Sequence, residues 1–169
     1  ANEILTNYQD CKEFVNADSI AKGLSPFQPD TVSVHAARIM LNRIRELIKD
    51  NATFAIETTL TTKSYINLLN SARKKKYKVV LFYFWINSPK LALARIADRV
   101  KKGGHNIPKD VVLRRYKRSL DNLVNLFIPI CDEWNITDNS AEKSTLIAKG
   151  KLVKSTFVYD VHKWEKIYE

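Results

Sequence analysis

Glycine is scarce in this chain, four in 169 residues, and Gly23, Gly103, Gly104 and Gly150 stand in neither GxxxxGK(S/T) nor GxGxxG. Without such a turn, no run of backbone amides is laid out at a strand-to-helix junction to cradle nucleotide phosphates. Cysteine is rarer still. Cys11 and Cys131 lie 120 positions apart, which excludes a disulfide framework and a paired metal motif, and suits buried thiols in a reducing cytoplasm. Three histidines with two cysteines give no zinc spacing and no Ser/His/Asp arrangement, so no metal site is expected. The longest apolar run, Val79 to Ile86, is far short of the roughly 20 residues that span a bilayer. Ala1 to Asp10 shows no basic-then-apolar signal pattern, so the expectation is a cytoplasmic protein with no membrane contact.

What is abundant is positive charge and apolar side chains. Hydrophobic residues make up 45% of the chain, and seven Phe, seven Tyr and three Trp are spread along it, which argues against disorder. The formal net charge is +10. Residues 73–118 hold 15 Lys or Arg against two acids, Asp98 and Asp110, while the remaining residues carry 13 basic and 16 acidic side chains. The excess therefore sits in one segment. Such a patch attracts polyanions, nucleotides included. Only Tyr77 and Tyr116 stand directly among these cations, and no recognised nucleic-acid motif accompanies them, so nucleic acid is not the expected partner.

No repeat or Gly/Ser linker divides the chain, and one domain over residues 1–169 is expected. Strand and helix signals alternate. Phe14-Val15 leads a short strand, and after a loop Asp30 or Thr31 can cap a helix with Ala37, Met40, Leu41, Ile44, Leu47 and Ile48 on its apolar positions. Asp50-Asn51 stops it. Thr53 to Thr58 reads as a buried strand, and a helix carrying Tyr65, Leu68, Leu69 and Ala72 follows. Val79 to Ile86, apolar throughout, reads as a parallel strand covered on both faces. Ser88-Pro89 starts the next helix, Gly103-Gly104 ends it, and Pro108 opens another. Trp134 to Thr137 reads as a strand, Ser140 to Lys149 as a helix closed by Gly150, and Lys151 to Glu169 as a strand with a final helical turn. This order predicts an α/β fold with a mainly parallel sheet flanked by helices, whose chemistry gathers beyond the strands' carboxyl ends.

Asp18 closes the first strand, Glu57 with Thr58 and Thr59 the second, and Asp138-Asn139 the fourth. A carboxylate there can take a proton from a hydroxyl or organise Mg²⁺ and phosphate. Asp18 and Asp138 can equally cap the helices after them. Glu57 follows Phe54, Ala55 and Ile56 in a strand expected to be buried, where an unpaired carboxylate is costly. In the basic segment Arg95 and Arg99 share a helix face, and Arg114 and Arg115 lie on the helix after the Gly-Gly turn and His105. Two such helices, about 89–128, can form a lid whose arginine forks close on phosphate, or simply a solvated hairpin. His105 can donate to phosphate or stand solvated.

Several segments resemble the zeta-toxin-like family of P-loop kinases. They are FVNADSIAKGLSPFQPD (Phe14 to Asp30), FAIETTLTTKSY (Phe54 to Tyr65), LFYFWINSPKLALARIADRVKKGGHNIPKDVVLRRY (Leu81 to Tyr116), NLVNLFIPICDEW (Asn122 to Trp134) and TDNS (Thr137 to Ser140). They stand in the family's order over most of residues 11–149. The resemblance implies a P-loop kinase-like α/β fold and transfer of phosphate from ATP, with Mg²⁺, to a hydroxyl of a small molecule. Zeta toxins use UDP-N-acetylglucosamine and are held inactive by an antitoxin, so a UDP-sugar substrate and an antitoxin partner are implied. By motif, Asp18 resembles the base that deprotonates the acceptor hydroxyl, and Glu57 and Thr59 resemble substrate-holding residues. Arg99 and Arg115 resemble catalytic arginines facing the transferred phosphate, with Arg95 and Arg114 as phosphate-binding partners.

The family places a strand, a glycine-rich loop with its lysine, and a helix ahead of the VNAD segment. Only Ala1 to Asp10 precede it here, room for a remnant of that helix. The first strand and P-loop are therefore expected to be absent from this chain unless another segment, such as Thr156 to Tyr159, fills the central position. Kinase activity by these residues alone is expected to be slight. The alternatives are a non-catalytic homologue that binds a partner, and a basic nucleic-acid-binding domain.

Overall fold

The computed structural model describes residues 11–102, 104, 106–151 and 155–169. They divide between Thr58 and Thr59 into two compact units. The expected helix remnant in Ala1 to Asp10, the hinge residue Gly103 and the phosphate donor His105 lie outside the described residues.

In the first unit, β1 (Glu13–Val15) pairs in parallel with β2 (Phe54–Ile56), Val15 standing opposite Ile56. Between them run α1 (Ala17–Leu24) and α2 (Ser33–Lys49), the latter entered through a 3₁₀ turn, Pro29–Val32. Asn16 caps α1: its side chain accepts the Ser19 N–H at 3.0 Å, a contact worth about 1 kcal/mol. Asp18 is thus a first-turn residue, not the cap. Neither Asp30 nor Thr31 caps α2, because both fall within the 3₁₀ turn, where the Thr31 hydroxyl donates to the Gln28 carbonyl at 2.7 Å. Ala36, Met40, Ile44, Leu47 and Ile48 form the buried stripe of α2, so Ala36 replaces the expected Ala37. Asn51 ends the helix in the left-handed region, φ 55°, which lets the Ala52 N–H reach the Leu47 carbonyl at 3.0 Å. Arg43 then ties α2 to β1 through Glu13 at 3.1 Å.

The second unit is built on a four-stranded sheet, order β3-β4-β5-β6, from β3 (Val80–Trp85), β4 (Glu133–Asp138), β5 (Thr145–Lys151) and β6 (Ser155–Val158). Only β3 and β4 run parallel; β4 with β5 and β5 with β6 are antiparallel. The helices are α3 (Ser64–Lys74), α4 (Pro89–Lys101), α5 (Lys109–Asn122) and α6 (Val161–Tyr168). Ser88 caps α4 as its sequence suggests, accepting the Leu91 N–H at 3.3 Å with Pro89 in the first turn. Helix α5 continues into a wider π-type turn, Leu123–Phe127, whose Leu123 and Phe127 are fully buried, as are Ile136 of β4 and Ile147 of β5.

The architecture is the expected α/β type with flanking helices, but the sheet is mixed rather than mainly parallel. The segment expected to be a helix, Ser140 to Lys149, supplies strand β5 instead. Pairing with β4 buries Ile147 and Ala148, and a bulge between Ile136 and Thr137 accommodates both. Gly150 does not close a helix. It lies opposite Trp134, and a Cβ there would fall 2.6 Å from the indole Nε1. Thr156 to Tyr159 belongs to β6 and its exit, beside β5, and fills no central position. Strand β3, read as covered on both faces, has one neighbour among the described strands and is largely half-buried, with Phe84 exposed. Cys131 is buried, and burial first, then the charge of Asp132, pushes its thiol up to about 12, as befits an inert core thiol.

Candidate functional site

Parallel pairing sets the first group of candidates. Because β1 and β2 run together in register, the residues that follow them emerge at one edge: Asn16, Ala17 and Asp18 after Val15, and Glu57 after Ile56. Asp18 is exposed in the first turn of α1, where the helix dipole favours its charge. Glu57 is exposed too, which overturns the argument that burial makes it costly. Its backbone N–H continues the ladder to the Val15 carbonyl at 3.3 Å, and its carboxylate accepts from Asn16 Nδ2 at 2.8 Å. Asn16 therefore holds the start of α1 with one end of its amide and Glu57 with the other. Sequence reasoning passed over this residue as a strand end. An Asn two positions before an Asp at a strand-to-helix junction was the available signal.

The second unit holds Thr59 and the four arginines. Thr59 shares a hydroxyl hydrogen bond with Thr61 at 2.9 Å. Arg95 is half-buried and donates to the carbonyls of Asn139 at 2.6 Å and Ser140 at 3.3 Å, so it ties α4 to the end of β4. Arg99 is exposed near the end of α4, and its carbonyl accepts the Gly104 N–H at 2.8 Å. Arg114 and Arg115 are both exposed on α5. Helices α4 and α5 pack on each other, and two tyrosines fasten α5 to β3: Tyr83 bonds Ser119 at 3.0 Å, and Tyr116 donates to the Ile86 carbonyl at 2.8 Å.

Arg114 also lines an open groove of about 880 Å³ between α5 and the Thr61–Lys63 loop. Buried Asn122 builds this loop by donating to the Leu60 carbonyl at 2.6 Å, where Leu60 is buried at φ 56°. A left-handed leucine costs about 1–2 kcal/mol, and the bond helps hold it. Nothing in the local sequence marks Asn122; its role follows from packing across 62 positions.

Asp138 is buried but caps no helix. One carboxylate oxygen accepts the Ser140 N–H at 2.8 Å, and the other pairs with Lys163 of α6 at 3.0 Å. Burial raises its pKa, but the bonds from Ser140 and Lys163 outweigh burial and leave it below the ordinary carboxylate value. A lowered folded pKa contributes stability above the unfolded value, about 3.9, that is lost as pH falls through the folded value. Denaturant unfolding of the native chain should therefore lose stability below about pH 4. In Asp138→Asn the neutral-pH stability should drop by about 2 kcal/mol, and the acid loss should be shallower. An unchanged acid slope would show that other carboxylates govern it.

Among the described residues no three His, Cys, Asp or Glu gather to hold a metal, and no helix is long and apolar enough to cross a membrane. The 169 residues contain no glycine-rich turn with a following lysine that would fit the phosphates of ATP.

The fold is similar to that of a solved chain from the PezAT chromosomal toxin–antitoxin system of Streptococcus pneumoniae. The two align with a TM-score of 0.57 over 85% of this chain and 64% of that one, at 14% identity. The chain thus has the fold of that protein and spans less than two thirds of its length. In sequence it is 36% identical, over 102 residues, to an uncharacterized protein of Haemophilus influenzae, covering 60% of this chain and 73% of that protein. It belongs to the same family as that protein. No protein-family profile matches it.

Proposed function

We propose that these residues form the acceptor-binding part of a zeta-toxin-like kinase domain, which transfers phosphate from ATP–Mg²⁺ to a hydroxyl of a small molecule. The observation that carries this reading is the shared edge of β1 and β2, where Asp18 and Glu57 stand exposed and Asn16 bonds Glu57. Asp18, on a helix start, takes the proton of the acceptor hydroxyl. Glu57 and Thr59 orient the acceptor, a UDP-sugar by kinship. Arg99 and Arg115 balance charge on the transferred group, and Arg95 and Arg114 bind phosphate, with residues 89–128 as the lid. The likeness to the PezAT chain supports the fold side of this reading; an antitoxin as protein partner and a cytoplasmic location are proposed with it by kinship.

The 169 residues contain no GxxxxGK(S/T), so they should bind ATP–Mg²⁺ weakly and transfer phosphate slowly by themselves. The test offers γ-labelled ATP and a panel of hydroxyl acceptors, including UDP-N-acetylglucosamine, to this chain and to the full open reading frame encoding it. Transfer to an acceptor by the full product, with little by these residues, is the expected result. No transfer by either would sink the kinase reading, and tight ATP binding by the 169 residues would sink the claim of a missing cradle.

A further inference from the structure

We propose that the open groove along α5 docks an acidic, leucine-bearing segment of a protein partner. Arg114, Lys117 and Arg118 stand at i, i+3 and i+4, which places three cations on one helix face, and Lys63 faces the groove from the opposite loop. Asp121 is the one acid in this lining. Among the described residues none of the four cations is engaged in an ion pair, so their charge is available to a ligand of opposite sign. Leu113, 40% exposed, and Leu126 add apolar surface to the same groove.

The class of occupant follows from what lines the groove. No aromatic ring does, so a base has nothing to stack on, which disfavours a nucleotide or nucleic acid. The groove is open, and a small molecule in it would leave much of its surface in water. A polypeptide whose carboxylates meet the four cations, and whose leucines cover Leu113 and Leu126, satisfies both features at once. Thr61, Thr62 and Asn125 supply polar contacts along the rim. The groove shares Arg114 with the proposed phosphate-binding set, whereas Lys63, Lys117 and Arg118 stand outside that set and carry the docking surface by themselves.

The test is fluorescence anisotropy with the 169-residue chain and a labelled Glu-rich peptide bearing leucines at helical spacing. It is compared with the same peptide with serines for leucines, and with a single-stranded oligonucleotide of equal charge. The leucine peptide should bind more tightly than both and weaken with added salt. Lys117→Glu/Arg118→Glu should lower its affinity roughly tenfold or more, and Lys63→Glu, in a loop, should lower it as well. Lys90→Glu on α4 should change it less than about twofold, with circular dichroism showing each variant folded. Absence of binding, equal binding of the serine peptide, equal loss in Lys90→Glu, or tighter binding of the oligonucleotide would each overturn the proposal.

Discussion

Gly150→Ala should destabilise the second unit by about 3 kcal/mol, among the larger costs a single methyl group can impose. A Cβ at this position would lie 2.5 Å from Trp134 Cζ2 and 2.6 Å from Nε1, and the obstacle is a rigid indole rather than the free end of a flexible chain. Trp134 is buried and cannot tilt away cheaply. Its ring stacks on Trp164 at 5.5 Å with planes 5° apart, and Trp164 in turn meets Tyr168 at 4.7 Å. Moving the indole therefore disturbs the seat of α6 on the sheet, including the Lys163–Asp138 pair. Thermal melts and near-ultraviolet circular dichroism should show a lower transition and a weakened tryptophan signal. Adding Trp134→Leu, which removes the obstructing ring, should make the effect of Gly150→Ala smaller than in the native background. Additive losses would mean that the glycine is required for another reason.

In a protein that carries these residues and transfers phosphate, Asp18→Asn should lower kcat by about two to four orders of magnitude. Asparagine keeps the shape and the helix-start position but cannot accept the acceptor's proton. Binding of ATP and the thermal stability should change little, because Asp18 is exposed and the cap of α1 belongs to Asn16. Asn16→Ala makes a useful contrast. It removes both the cap and the bond to Glu57, so it should cost about 1 kcal/mol of stability as well as turnover. Retained turnover in Asp18→Asn would refute the proton-accepting role.

Much of this was legible before any coordinates. Ser88-Pro89 announced the start of α4 and Asp50-Asn51 the stop of α2, because caps and helix stops are written within a few residues. Glu57 drew attention as a carboxylate after an apolar strand. The inference that it is buried failed because β2 ends at Ile56, one residue earlier. Arg95 reads in the sequence as a phosphate ligand, and what the structure shows it holding is two backbone carbonyls from 44 and 45 positions away. A helical face shows which arginines point together, not what they meet.

The composition and local pattern determined by themselves that this is an α/β chain, with a basic segment at 73–118 and carboxylates following its first two strands. They also determined that no glycine-rich phosphate cradle lies within it. Only the tertiary structure decided that Ser140 to Lys149 contributes a strand, that Gly150 serves Trp134, and that Asp138 answers Lys163. It likewise made a groove from Lys63 and the α5 cations. The physical reason is the same in each case. A cap or an amphipathic stripe is satisfied by neighbours in sequence, whereas strand pairing, indole packing and ion pairs are satisfied by partners that only the folded chain brings near.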